Sequence, residues 1–240
     1  MSDDVKLHVR EYGGLLAAPE KKALLWLVRR TPPWINSDHL TILGLVSMLA
    51  AGVCYWTARW NKLSLWVVVL SLALNWLGDS LDGTLARYRN CQRPLYGYYV
   101  DHVIDLIGTA ALLSGLACSG FMSPLIAVTL LSAFALVEAE VFLATHVQQI
   151  FRLSCFHIGP TELRIVLAAG TLHLLHNPWV HIGGTGPFLL FDVGGIISIA
   201  GLMSALVYSA FRNARSLYQA EPLEIGTANN LICIRGRKAC

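Results

Sequence analysis

Apolar residues arrive in long runs separated by short polar stretches. Six runs, at about 39–58, 63–81, 97–119, 122–148, 161–177 and 188–211, each approach the roughly 20 residues that a helix needs to cross the hydrocarbon core. A chain in lipid must satisfy its backbone internally, and helices do so segment by segment. The pattern therefore predicts an all-α fold, a polytopic membrane helical bundle of about six transmembrane helices. The fifth run is the weakest, opened by Glu162 and Arg164 and closed by Pro178. The fourth is long and holds Glu138 and Glu140. These are i, i+2 and cannot share a helix face, so at least one points into the bundle. A structural hydrogen bond and a role in substrate choice are both open to it.

Residues 1–18 are polar, without the apolar run of a signal peptide. Residues 19–30 (PEKKALLWLVRR) put Leu24, Leu25, Trp26, Leu27 and Val28 between Lys21, Lys22, Arg29 and Arg30. The stretch is too short to span, and it predicts an amphipathic interfacial helix with Trp26 at headgroup depth. An ordinary juxtamembrane segment is the alternative. Residues 179–187, uncharged and rich in Gly, read as an external turn. The expected organisation is an N-terminal cytoplasmic segment 1–38, a six-span domain 39–215 and a polar cytoplasmic tail 216–240. There is no internal repeat and no soluble domain.

Composition agrees: 55% of residues are hydrophobic, 14% are charged, and mean hydropathy is +0.55. Soluble domains carry about 25% charged residues. The net charge of +3 is small and gives no reason to expect a nucleic-acid partner. The placement of charge is more informative. Sixteen of the 18 Lys and Arg fall in segments on one side of the predicted spans, leaving only Arg59 and Lys62 for the other. By the positive-inside rule, both termini and the active side face the cytoplasm. The six Cys are scattered without a C-x-x-C pair, so neither a disulfide framework nor a zinc site is indicated.

Candidate chemistry is concentrated between Gly78 and Gly108. Asp79, Asp82, Asp101 and Asp105 stand at the edges of apolar runs. An acid at the centre of a membrane helix costs about 2.5–3.5 kcal/mol on insertion scales, which makes it a functional candidate. Asp79 and Asp82 are i, i+3, and Asp101 and Asp105 are i, i+4, so each pair shares a helix face. At about 4 Å and an effective dielectric near 20, two such charges repel by on the order of 4 kcal/mol. A cation must lie between them, and an all-oxygen cluster suits Mg²⁺ or Mn²⁺. Gly83 permits close approach, and Arg87 offers a planar fork for a phosphate. Together these residues describe a diphosphate site.

The pattern D-x2-D-G-x2-A-R…G-x3-D-x3-D, here Asp79, Asp82, Gly83, Ala86, Arg87, Gly97, Asp101 and Asp105, resembles the signature of the CDP-alcohol phosphotransferases. Nine residues separate Arg87 from Gly97, one more than that pattern leads one to expect; the difference touches the turn and no ligand. The resemblance implies transfer of a phosphatidyl group from CDP-diacylglycerol to an alcohol acceptor, with release of CMP. It also implies two divalent ions, Mg²⁺ or Mn²⁺, held by Asp79, Asp82 and Asp101, with Asp105 contributing an oxygen or lying beside them. Gly83, Ala86, Arg87 and Gly97 would cradle the CDP moiety, and Asp105 is the candidate general base. Members of this family are expected to be homodimers.

Other residues admit two readings. Residues 36–41 (NSDHLT) resemble a family element near the cytidine site, which makes Thr41 a candidate for the CDP moiety; a helix cap at Ser37 or Asp38 is the other reading. Arg152 and Arg164 flank a short loop on the active side and are candidates for an acceptor phosphate, or else positive-inside anchors. His102 follows Asp101 by one residue and is read as packing rather than ligating. Two other functions compete with phosphatidyl transfer: a CDP-aminoalcohol:diacylglycerol phosphotransferase and a divalent-cation transporter. A transporter would spread its acids along a path, whereas these four cluster. A scaffold without catalysis would be expected to have lost an acid. The acceptor is left open among glycerol 3-phosphate, inositol, inositol phosphate, serine and a second lipid.

Overall fold

The computed structural model describes residues 17–148, 160–181 and 186–221. It contains a short helix α1 (Ala17–Arg30) and six further helices: α2 (Ser37–Thr57), α3 (Ser64–Tyr88), α4 (Pro94–Ser119), α5 (Pro124–Gln148), α6 (Pro160–His176) and α7 (Leu190–Ala220). Five of these are long and apolar enough to cross a membrane: α2, α3, α4, α5 and α7. The 17 residues of α6 give about 26 Å at the helical rise, slightly short of the hydrocarbon thickness. Large apolar side chains such as Ile42, Leu70, Leu125, Val166 and Val207 are exposed, as they are on the lipid-facing surface of a membrane bundle.

Three helices run further than their apolar pattern. The span expected at 63–81 is a helix to Tyr88, the one expected from 97 begins at Pro94, and the one expected to end at 211 continues to Ala220. Hydropathy marks where lipid ends, while backbone hydrogen bonding continues beyond it, with Pro at the first turn of α4 as helix starts favour. The stretch read as a turn carries two short strands. Trp179–His181 (β1) and Pro187–Leu189 (β2) pair antiparallel, with Val180 opposite Phe188.

The helices meet through small residues. A Cβ on Gly115 would collide with the carbonyl of Gly52, so the backbones of α2 and α4 are in contact there. A Cβ on Gly78 would fall 2.6 Å from the carbonyl oxygen of Leu40 and 2.8 Å from the amide nitrogen of Gly44, so α3 meets α2 in the same way. Lipid gives helices little hydrophobic reason to associate, and close backbone approach supplies the packing instead. One buried cluster, including Tyr55, Leu65, Val68, Leu112, Leu116 and Leu174, joins α2, α3, α4 and α6. A second, formed by Leu24, Val28, Leu40, Leu81 and Leu85, docks α1 against the start of α2 and the acid-bearing end of α3.

Candidate active site

All four aspartates open onto one pocket. Its walls are Thr41 and Gly44 from α2, Asn75, Asp79 and Asp82 from α3, and Asp101, Ile104 and Asp105 from α4. Asn75, Asp79 and Asp82 are i, i+4 and i+7, a single stripe of α3. The pocket holds about 10 Å³, room for one ion-sized body but not for a nucleotide. Asp82 is the most enclosed acid, with 7% of its surface exposed. Asp105 is the most open of the four.

Asp82 and Asp79 are both held by partners. Thr41 Oγ1 lies 2.9 Å from Asp82 Oδ2 and 3.0 Å from the Ser37 carbonyl, so one proton serves two acceptors. The other Asp82 oxygen accepts from the Gly83 amide. Ser37 Oγ donates to the Asp82 carbonyl at 3.0 Å. Arg164 Nη2 donates to Asp79 Oδ2 at 2.7 Å, and Arg164 Nε donates to Asn75 Oδ1 at 2.8 Å. Asn75 in turn donates to the Gly44 carbonyl at 3.0 Å. Four helices, α2, α3, α4 and α6, therefore contribute to one polar cluster.

The remaining motif residues lie on the last two turns of α3 and the first turn of α4. Arg87 lies in the last turn of α3, its Nη2 3.2 Å from Thr84 Oγ1. A Cβ on Gly83 would come within 3.4 Å of Arg87 Nη1, so the glycine leaves room for the guanidinium. Ala86 is half-buried on the same turn. Gly97, in the first turn of α4, has open space where a side chain would stand. Arg93 pairs with Asp38, tying the start of α4 to the start of α2. Arg89 donates to the carbonyls of Thr31, Pro32 and Ile35 and so holds the α1–α2 turn.

Several expectations are refined. The residue that caps α2 is Asn36, not Ser37 or Asp38, and His39 Nδ1 accepts the Asn36 amide at 3.1 Å. Ser37 is thereby released to bond α3. His102 stacks beside Tyr98 and meets the Phe142 ring edge-on at 5.2 Å, which is a packing position. Glu140 accepts from Asn213 at 2.7 Å and from Ser209 at 3.1 Å, joining α5 to α7. Arg152 lies outside the described residues.

Asn75 and Glu20 also hold places in this part of the fold, though neither belongs to the motif. Asn75 is a lone amide one turn before Asp79 in an apolar run, and that isolation was its only signal. One oxygen of Glu20 accepts from Trp76 and Thr161 at 3.0 Å each and from Ser80 at 3.1 Å, pinning α1 to α3 and α6. Beside it runs a groove of about 490 Å³ between α1, α3 and α6, lined by Ala23, Val69, Leu72, Ala73, Ile165 and Ala168, with Arg164 at its edge. Those α3 residues lie about a quarter turn round the helix from the acid stripe.

The donor set fits a hard divalent cation: carboxylate and hydroxyl oxygens of Asp79, Asp82, Asp101, Asp105 and Thr41 around an ion-sized pocket. Among the described residues, no three acidic, His or Cys side chains are drawn close enough to form a finished metal site.

A polytopic membrane helical bundle with four carboxylates gathered on one pocket defines the class, an integral-membrane protein with an acidic site. Residues 34–207 match the CDP-alcohol phosphatidyltransferase family, and the chain belongs to it. It is thus a CDP-alcohol phosphatidyltransferase, a membrane transferase of phospholipid synthesis, and the family's chemistry uses divalent cations. Among solved structures, the chain is similar to the phosphatidylinositol phosphate synthase PgsA1 of Mycobacterium tuberculosis with CDP-DAG bound. The identity is 17% and the TM-score 0.49, over 83% of this chain and 92% of that one.

Proposed function

We propose that the pocket of Asp79, Asp82, Asp101 and Asp105 is the reaction centre, and that it works at the cytoplasmic membrane surface. The observation that carries this reading is the convergence of all four acids, from two helices, on one ion-sized space. Asp79, Asp82 and Asp101 would hold the divalent metal, Mg²⁺ or Mn²⁺, with Asp105 beside them; a second ion would require the carboxylates to part. When bound, such ions neutralise a diphosphate and stabilise charge on a departing CMP. Thr41 orients Asp82, and Arg164 orients Asp79. Gly83, Ala86, Arg87 and Gly97 sit at the rim, where a cytidine diphosphate too large for the pocket would lie. The acyl chains of CDP-diacylglycerol fit the apolar groove beside α1.

Asp105, the most open acid, takes the proton of the acceptor hydroxyl. The freed oxygen attacks the phosphatidyl phosphorus, the bond to CMP breaks, and CMP leaves with the electron pair. Arg164 Nε and Nη2 are engaged on α3, and its remaining N–H groups are available to an acceptor phosphate, with Arg152 a second candidate. The acceptor would thus be a phosphorylated alcohol. Residues 39–215 form the transferase domain, between the segment 1–38 and the tail 216–240, and the protein acts as a homodimer. Both termini are assigned to the cytoplasm.

The test uses purified protein, labelled CDP-diacylglycerol and Mg²⁺, with a panel of alcohols as acceptors. CMP release that requires one alcohol, together with a new labelled phospholipid, is expected. CMP release with CDP-choline and diacylglycerol in its place would move the protein to the aminoalcohol branch.

A further inference from the structure

The Asn75 amide links α2, α3 and α6. It is 4% exposed and stands on the same stripe of α3 as Asp79 and Asp82. Its Nδ2 donates to the Gly44 carbonyl at 3.0 Å, and its Oδ1 accepts from Arg164 Nε at 2.8 Å. The sense of the amide is forced, because a carbonyl only accepts and a guanidinium only donates. No other side chain of this length serves both at once: Asp would face the carbonyl with an acceptor, and Leu would leave two buried groups unmet. The second arm of the same guanidinium, Nη2, reaches Asp79 Oδ2 at 2.7 Å. Asn75 and Asp79 thus present acceptors one helical turn apart to a single planar fork.

Resting on the assignment of Asp79 as a metal-holding acid, we infer that Asn75 is a positioning residue. It fixes the Arg164 fork against Asp79 and thereby sets the affinity of the acid cluster for a divalent cation. A guanidinium in contact with a carboxylate offsets part of its charge and occupies one oxygen, which weakens the carboxylate's hold on a second cation. Arg164 and Asp79 are 17% and 25% exposed, so solvent screens this only in part. The fork also limits Asp79 to one orientation. Cation affinity is moderated in exchange for geometry, which suits ions that must engage and release a diphosphate at every turnover.

The inference makes Asn75 act through Arg164 and not independently of it. Mn²⁺ binding to the purified protein, followed by electron paramagnetic resonance without substrates, is the readout. Asn75→Ala and Arg164→Ala should each tighten Mn²⁺ binding by about threefold to tenfold while lowering kcat. The double variant should bind no tighter than Arg164→Ala alone, since the second removal has nothing left to act through. If Asn75→Ala does not fold, Asn75→Ser, which keeps a polar atom but does not reach Arg164, should show the same shift. Unchanged or weaker Mn²⁺ binding in the Asn75 variant, or shifts that add in the double variant, would overturn the inference. Asp79→Asn separates the two levels. If it weakens Mn²⁺ binding while Asn75→Ala has no effect, only the positioning role fails. If Asp79→Asn itself leaves Mn²⁺ binding intact, the metal assignment fails and this inference with it.

Discussion

Arg164 Nη2 stands 2.7 Å from Asp79 Oδ2, bringing a cation from α6 onto the acid stripe of α3. The pairing gives Arg164 a place within the site instead of at a lipid headgroup. Arg164→Ala should raise KM for a phosphorylated acceptor by about tenfold or more, the usual loss for a charged hydrogen bond. KM for CDP-diacylglycerol should change little. Steady-state kinetics with each substrate varied in turn will decide; an unchanged acceptor KM would confine Arg164 to its contact with Asp79.

Removing the metal should stop the reaction. EDTA is expected to abolish CMP release, and Mg²⁺ or Mn²⁺ to restore it. Asp105→Asn should lower kcat by roughly 10²–10⁴, the worth of a positioned base, and excess Mg²⁺ should not rescue it. Asp79→Asn should be rescued in part by excess Mg²⁺, because its defect is in holding the ion. If the two variants respond alike, Asp105 is a ligand and the proton leaves by another route.

Thr41→Val keeps the shape of the side chain and removes the hydroxyl 2.9 Å from Asp82. Partners that orient a metal-holding group are worth about 10–100-fold in affinity or activity. Turnover at limiting Mg²⁺ should fall within that range, with a stability cost of about 1 kcal/mol. Full activity at limiting Mg²⁺ would confine Thr41 to its structural contacts with Ser37 and Asp82.

Two glycines separate packing from substrate approach. Gly115→Ala drives a Cβ into the Gly52 carbonyl and should cost about 1–3 kcal/mol, seen as lost monodisperse protein in detergent. Gly97→Ala meets open space and gains helix propensity, so the melting temperature should hold or rise. A raised KM for CDP-diacylglycerol in Gly97→Ala would place the donor against α4. A normal KM removes Gly97 from the donor site.

Orientation is open to direct test. A reporter fused after Cys240 should be active only in its cytoplasmic form, and a Cys introduced at Gly184 should label from outside. The reverse would put the acids on the wrong side for a cytoplasmic nucleotide lipid.

The helices and the motif acids were legible because both depend on local rules. Lipid imposes a length on each apolar run, and carboxylates at i, i+3 and i, i+4 must share faces. What stayed hidden was pairing across distance in sequence. Nothing near Arg164 in the chain points to Asp79, 85 residues away. Asn75 and Glu20 were missed for the same reason, since their partners lie on other helices. The cap of α2 lies at Asn36 and not at Ser37 or Asp38, because Asn, Ser and Asp stand in a row there and each is a good N-cap. The β1–β2 pairing was invisible in a stretch whose composition indicates only a turn.

The contact of Gly78 with the backbone of α2 bears on how the protein meets bilayers of different thickness. Helices answer mismatch by tilting, and loosely packed neighbours can also slide along one another. Here sliding would drive the α3 backbone into the Leu40 carbonyl and the Gly44 amide, so α2 and α3 must tilt as a pair. Thr41 and Asp82 travel together under such a tilt. Mismatch energy is therefore absorbed as a rotation of the pair in the membrane and does not shear the ion pocket.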